Sequence, residues 1–166
     1  MKYLLILRHA KSSWDDESLD DHERPLNARG KRDAPRIGRL LREENWLPQL
    51  VLCSTAVRAR KTWARVSKAA GYDGPVAMQG LLYLASPSVY VDCLRSVRDD
   101  VQVAMVVGHN PGLEQLLFQL TGADEPMPTA ALAVVELPIE SWHDLSDVTR
   151  GKLITLYRPK ELDDVD

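Results

Sequence analysis

Little in this chain marks a special environment. It has only two cysteines, Cys53 and Cys93. They stand in apolar surroundings at no metal-ligand spacing, so they read as buried, reduced thiols of a cytosolic protein. No apolar run approaches the ~18 residues of a membrane span. The opening "YLLIL" is too short for the apolar core of a signal peptide, and no cleavage site follows it. The expected compartment is therefore the cytoplasm, with no membrane partner. Basic residues are not in excess: the formal net charge is -3, which gives no footprint for nucleic acid. There is no Walker A pattern, no internal repeat and no low-complexity linker.

What remains is a chain of 166 residues, enough for one domain with a sizeable core. Residues 1–157 are expected to form that domain, as a monomer, with 158–166 as a short acidic solvated tail.

Along the chain, short apolar runs alternate with helical patterns. Strands are expected at Lys2–Leu7, Gln49–Cys53, Pro75–Met78, Val101–Val107, Thr129–Leu137 and Lys152–Tyr157. Helices are expected at Asn27–Glu44, Thr55–Ala70, Ser88–Val97 and Gly112–Leu120. Asn27 is the natural cap of the first, and Pro35 inside it conflicts with an unbroken helix. The second carries an apolar stripe (Ala56, Ala59, Trp63, Val66, Ala70) and stops at Gly71. Such alternation, with fully apolar strands, predicts an α/β protein: a mainly parallel sheet covered on both faces. The last two strands lack a helix between them, which leaves room for antiparallel pairing.

In sheets of this kind ligands bind beyond the carboxyl ends of the strands. The first strand ends in Arg8-His9. The second is followed by "STAVRAR", with Arg58 and Arg60 in the first turns of a helix. The Val101–Val107 strand is followed by "GHNPG", with His109 at a helix start. Singly each is ordinary, because arginines commonly face solvent and Asn-Pro-Gly favours turns. Jointly they place two of only four histidines, and a set of cations, at one end of one sheet. Guanidinium groups match phosphate oxygens, and the helix start near Pro111 or Gly112 is expected to offer free N–H groups. The natural guest is a dianionic tetrahedral group. Without an Asp/His cluster at metal-ligand spacing, no metal and no cofactor are expected, and a neutral imidazole is the available nucleophile. His22 and His143 lie in polar stretches and read as surface residues.

The segments "LRHAKSSW", "RPLNARG" (Arg24–Gly30), "STAVRARKTW" and "GHNP" together resemble the histidine phosphatase superfamily. The chain's shortness and the "RPLNARG" element look most like its SixA-type phosphohistidine phosphatase branch. The resemblance implies a three-layer α/β/α sandwich of the phosphoglycerate mutase-like kind. It implies a phosphatase in which His9 takes the phosphoryl group as a covalent phosphohistidine. Arg8, Arg58 and His109 would hold the phosphoryl oxygens, with Arg58 chosen over Arg60 by the motif, and Arg24 would bind phosphate or substrate at the rim. Asn27 keeps a structural role.

Two departures stand out. Ala10 replaces the usual glycine of the first motif, which requires that its φ not be positive. The segment "GLLYLAS" (Gly80–Ser86) holds no acid where many members carry a glutamate. A proton donor must then come from Asp15, Asp16, Glu17, Asp21 or Glu23, or be dispensable. A P–N bond to imidazole needs such an acid less than an alkoxide leaving group does. The expected substrate is therefore phosphohistidine on a partner protein. The alternatives are a phosphatase of a small phosphorylated metabolite and a phosphate- or phosphoprotein-binding module without turnover. Trp14 and the acidic stretch Asp15–Asp21 are expected near the mouth of the site.

Overall fold

The computed structural model describes residues 1–162; the end of the expected tail, 163–166, lies outside the described residues. Six strands form one sheet: β1 (Lys2–Arg8), β2 (Leu50–Ser54), β3 (Val76–Gln79), β4 (Val103–Gly108), β5 (Leu132–Leu137) and β6 (Lys152–Tyr157). Their order is β3-β2-β4-β1-β5-β6. The first four pair in parallel, and β5 runs antiparallel to both β1 and β6. The sheet is thus mostly parallel with an antiparallel margin, as the missing helix before the last strand implied.

Four helices cover it: α1 (Ala28–Glu43), α2 (Val57–Ala70), α3 (Pro87–Leu94) and α4 (Gly112–Thr121). Alternate residues of the central strands feed two cores. Leu4, Ile6, Ala104, Val106, Ala133 and Val135 pack with α3 and α4. Leu5, Leu7, Met105, Val107 and Val134 pack with α1 and α2. That is the expected three-layer sandwich.

Local chemistry sets the element ends. The Asn27 side chain accepts from Gly30 N at 2.9 Å and starts α1, which runs unbroken through Pro35. Gly71 takes the left-handed conformation that closes α2. α3 stops three residues short of the expected Val97, because Ser96 N and Val97 N bond three residues back and tighten the chain out of the helix. β5 starts at Leu132 instead of Thr129, since Ala130 adopts φ 63° and its N–H donates to His9 O. The segment expected as a solvated tail begins docked. Pro159 is buried, and Arg36 Nη2 donates to Leu162 O at 2.8 Å. Cys53 and Cys93 are free thiols, with Cys93 only half-buried. Among the described residues, no helix is long and apolar enough to cross a membrane.

Candidate active site

β1, β2 and β4 end side by side, and their ends bring Arg8, His9, Arg58 and His109 to one cavity of about 260 Å³, joined by Arg24. All five expected residues line it. Arg60 does not; it is exposed, with Nε donating to Thr55 O.

His9 follows the last residue of β1. Its backbone is clamped on both sides: His9 N donates to Gly108 O at 3.1 Å, and Ala130 N donates to His9 O at 3.0 Å. The next N–H, of Ala10, donates to Thr62 Oγ1 at 2.8 Å, and the Thr62 hydroxyl donates to Arg58 O at 2.7 Å. Ala10 has no positive φ and its methyl is buried in the core, so the replacement of glycine is accommodated. The Nδ1 of His9 lies 2.7 Å from Ala10 O. A carbonyl only accepts, so Nδ1 carries the proton and Nε2 keeps its lone pair. Burial, reinforced by the charges of Arg58, Arg8 and Arg24, lowers the His9 pKa to about 4 against the pull of the Ala10 carbonyl. At neutral pH the ring is uncharged, with the Nε2 lone pair free.

His109 lies with its ring centroid 5.1 Å from that of His9. Its Nε2 is 2.8 Å from Ser54 Oγ, which accepts from Ala56 N. The Ser54 hydroxyl hydrogen is then available to His109 Nε2, and in that tautomer the ring proton sits on Nδ1. Burial first, then His9 and Arg58, lowers the His109 pKa to about 3. Arg8 donates from Nη1 to Met127 O at 3.0 Å, and burial lowers its pKa. Arg8 Nε and His109 Nδ1 are buried without a partner among the described residues. Buried polar atoms are normally satisfied, and a phosphoryl oxygen would satisfy both.

Arg24 and Arg58 are joined by Asp21. Its carboxylate accepts from Arg24 Nη1 and Arg58 Nη2, each at 2.9 Å, and from the Tyr83 hydroxyl; its backbone carbonyl accepts from Arg58 Nη1 at 2.7 Å. Tyr83 foremost, with the two arginines, holds the Asp21 carboxyl far below the usual carboxylate range. Of the acids considered as proton donors, Asp21 alone touches the pocket's arginines, and it is held ionised. Trp14 stands at the mouth, with Arg24 Cζ 3.2 Å above its ring, and is 68% exposed.

Two expectations need correction. The start of α4 is not an open array of donors: Leu113 N and Glu114 N already donate to His109 O and Asn110 Oδ1. His22 is not a free surface residue. It is half-buried, with Nε2 2.9 Å from Thr55 Oγ1 and its ring edge-on to Tyr83. His143 is exposed as expected. Sequence reasoning missed Ser54, Thr62 and Tyr83. Ser54 and Thr62 are in the quoted segment "STAVRARKTW", and Tyr83 lies in the very stretch noted for lacking an acid.

The fold and pocket define an α/β protein with two imidazoles and three guanidinium groups gathered beyond the carboxyl ends of parallel strands. The chain belongs to branch 1 of the histidine phosphatase superfamily, whose sequence model matches residues 4–81. It is 36% identical over 155 residues to an uncharacterised chloroplastic protein of Arabidopsis thaliana, covering 85% of this chain and 69% of that one. It is 37% identical over 142 residues to an uncharacterised protein of Mycobacterium tuberculosis, covering 79% and 87%. A candidate phosphohistidine phosphatase SixA from Agrobacterium tumefaciens has a solved structure similar to this one at a TM-score of 0.82. It is 29% identical, with 95% of this chain and 98% of that one covered. The protein histidine phosphatase SixA complexed with tungstate superposes at 0.82 with 23% identity, over 97% and 99% of the two chains, a likeness of fold. The fold is phosphoglycerate mutase-like, and membership of the superfamily suggests a phosphatase.

Proposed function

We propose that this protein is a phosphatase that moves a phosphoryl group from phosphohistidine on a partner protein to His9 and then to water. The observation that carries the reading is the His9 Nδ1–Ala10 O bond, which leaves Nε2 unprotonated in a pocket of three arginines. His9 Nε2 attacks phosphorus in line, the P–N bond to the substrate imidazole breaks, and that imidazole takes up a proton. Water then attacks the His9 phosphoryl group, and inorganic phosphate and neutral His9 are restored. Arg8, Arg58 and His109 stabilise charge on the equatorial oxygens, and fixed positioning supplies most of the acceleration.

The preference for a P–N bond is supported by the proton inventory. Gly80–Ser86 holds no acid, and Asp21 is held as a carboxylate. A substrate whose leaving group is a poor alkoxide would lack its donor. The likeness to SixA proteins points the same way.

The test is to mix the protein with a phosphohistidine-bearing peptide, quench in alkali and measure intact mass beside His9→Ala. A phosphoryl adduct on the wild type, absent from the variant and accompanied by phosphate release, is expected. Full activity in His9→Ala would refute the assignment. Faster turnover of phosphate monoesters than of phosphoramidates would move the substrate to a small metabolite.

A further inference from the structure

The first turns of α1 carry charge of the wrong sign for a helix start. There is no acid in the first turn, while Arg29, Lys31 and Arg32 occupy its beginning, where the helix dipole disfavours cations. Arg32 also stands three residues from Arg29 and four from Arg36, spacings at which like charges repel. A chain of net charge -3 has no global surplus of cations to place here. These side chains are nonetheless gathered in one place. Arg29, Arg32 and Arg36 line a cavity of about 540 Å³ with Lys160 facing them, and Asp33 is the one acid among the lining residues. Asp33 pairs with Arg29 and Arg36, at 3.7 and 3.5 Å. Arg32 and Lys160 are exposed and form no ion pair among the described residues.

This cavity adjoins the catalytic one. Thr129 lines both, and Arg29 Nη2 donates to its hydroxyl at 3.0 Å. A molecule reaching His9 past Thr129 therefore meets the basic groove next.

We propose that the groove lined by Arg29, Arg32 and Lys160 is a docking site for an acidic segment of the phosphorylated partner protein, lying beside its phosphohistidine. The inference rests on the phosphohistidine reading of His9. The groove supplies what the catalytic pocket lacks, since the pocket's cations are committed to one phosphoryl group and carry no information about its bearer. A row of carboxylates on an extended segment matches cations spaced along one helix face. Opposite charge beyond the reacting group speeds encounter and selects the partner without altering the chemical step.

Two phosphohistidine peptides of equal length test this, one with four glutamates beside the phosphohistidine and one with four glutamines. Phosphoramidate serves as the small substrate. The wild type is expected to favour the glutamate peptide in kcat/KM by about tenfold at low salt, with the preference shrinking as salt is raised. The double variant Arg32→Glu/Lys160→Glu, both exposed positions, is expected to lose that preference through KM and to keep its kcat on phosphoramidate. Direct binding of the unphosphorylated glutamate peptide is measured in parallel and is expected to weaken in the variant. Equal use of the two peptides by the wild type, or equal binding by wild type and variant, overturns the groove. Failure of the wild type to turn over any of the three substrates overturns the phosphatase reading instead, and the binding arm still decides the groove.

Discussion

Asp21 grips Arg58 twice. Its backbone carbonyl takes Nη1 at 2.7 Å and its carboxylate takes Nη2 at 2.9 Å. The same carboxylate holds Arg24, so one side chain fixes two of the pocket's three arginines. Asp21→Asn keeps the shape and removes the charge. Because the Asp21 side chain is 42% exposed, solvent screens its effect on the pocket's field, and the lost grip dominates. We expect kcat to fall about tenfold, the scale of one charge-assisted hydrogen bond. A positioning residue loses the same factor with good and poor leaving groups, whereas a proton donor loses far more with poor ones. Comparing an aryl phosphate with an alkyl phosphate checks this.

Thr62 ties the His9 loop to Arg58 through one hydroxyl. Thr62→Val leaves the buried Ala10 N–H without an acceptor, which costs about 1–3 kcal/mol. Denaturant unfolding should show that loss. Activity should fall with it, and Thr62→Ser should restore both, since serine presents the same hydroxyl.

Gly30 closes the "RPLNARG" element, and a Cβ there would fall inside contact distance of the Lys11 carbonyl oxygen. In an open helix, Gly→Ala gains about 1 kcal/mol. Here the obstacle is backbone, and overpacking of this kind costs about 1–3 kcal/mol. Gly30→Ala should therefore lower Tm and also kcat, because the displaced strand of chain leads directly back to His9. A variant more stable than wild type would contradict the close approach.

The two site histidines are neutral in the fold and take protons readily once unfolded. Their pKa values are lowered from the ordinary 6.5 to about 4 and about 3. The unfolded chain therefore binds more protons below pH 6.5, and stability should fall as pH drops from there through about 3. Asp21, lowered from the usual 3.8, begins to add its loss only below that value, at the acid end of the histidine window. Tm against pH should show the first decline in wild type and Asp21→Asn alike. The imidazole NMR signals of His9 and His109 should stay unmoved between about pH 8 and 5.5. A titration of either near 6.5 would place it in solvent.

The parts of this site legible in the sequence are those whose position follows from a strand's end. Arg8, His9 and His109 sit where apolar runs stop, and a parallel sheet brings such points together. Arg58 needed the family motif, because spacing alone left it level with Arg60; only the packing of α2 buries one and exposes the other. Asp21 and Tyr83 were less legible. They meet across 62 residues of chain, and no local pattern encodes a hydrogen bond between two loops. The start of α4 misled for a related reason: an N-terminus looks open in sequence, but Asn110 folds back to fill it.

The place of β1 in the sheet has a dynamic consequence. Three strands shield it on one side and two on the other. Local opening in proteins begins at edges and loops and reaches the central strands only near global unfolding. The amides of Leu5 to Leu7 should be among the last to exchange with deuterium. Fraying of β3 or β6 should leave His9 in place. On heating, this protein should hold its chemistry until the whole sheet gives way, with inactivation and melting falling on one curve.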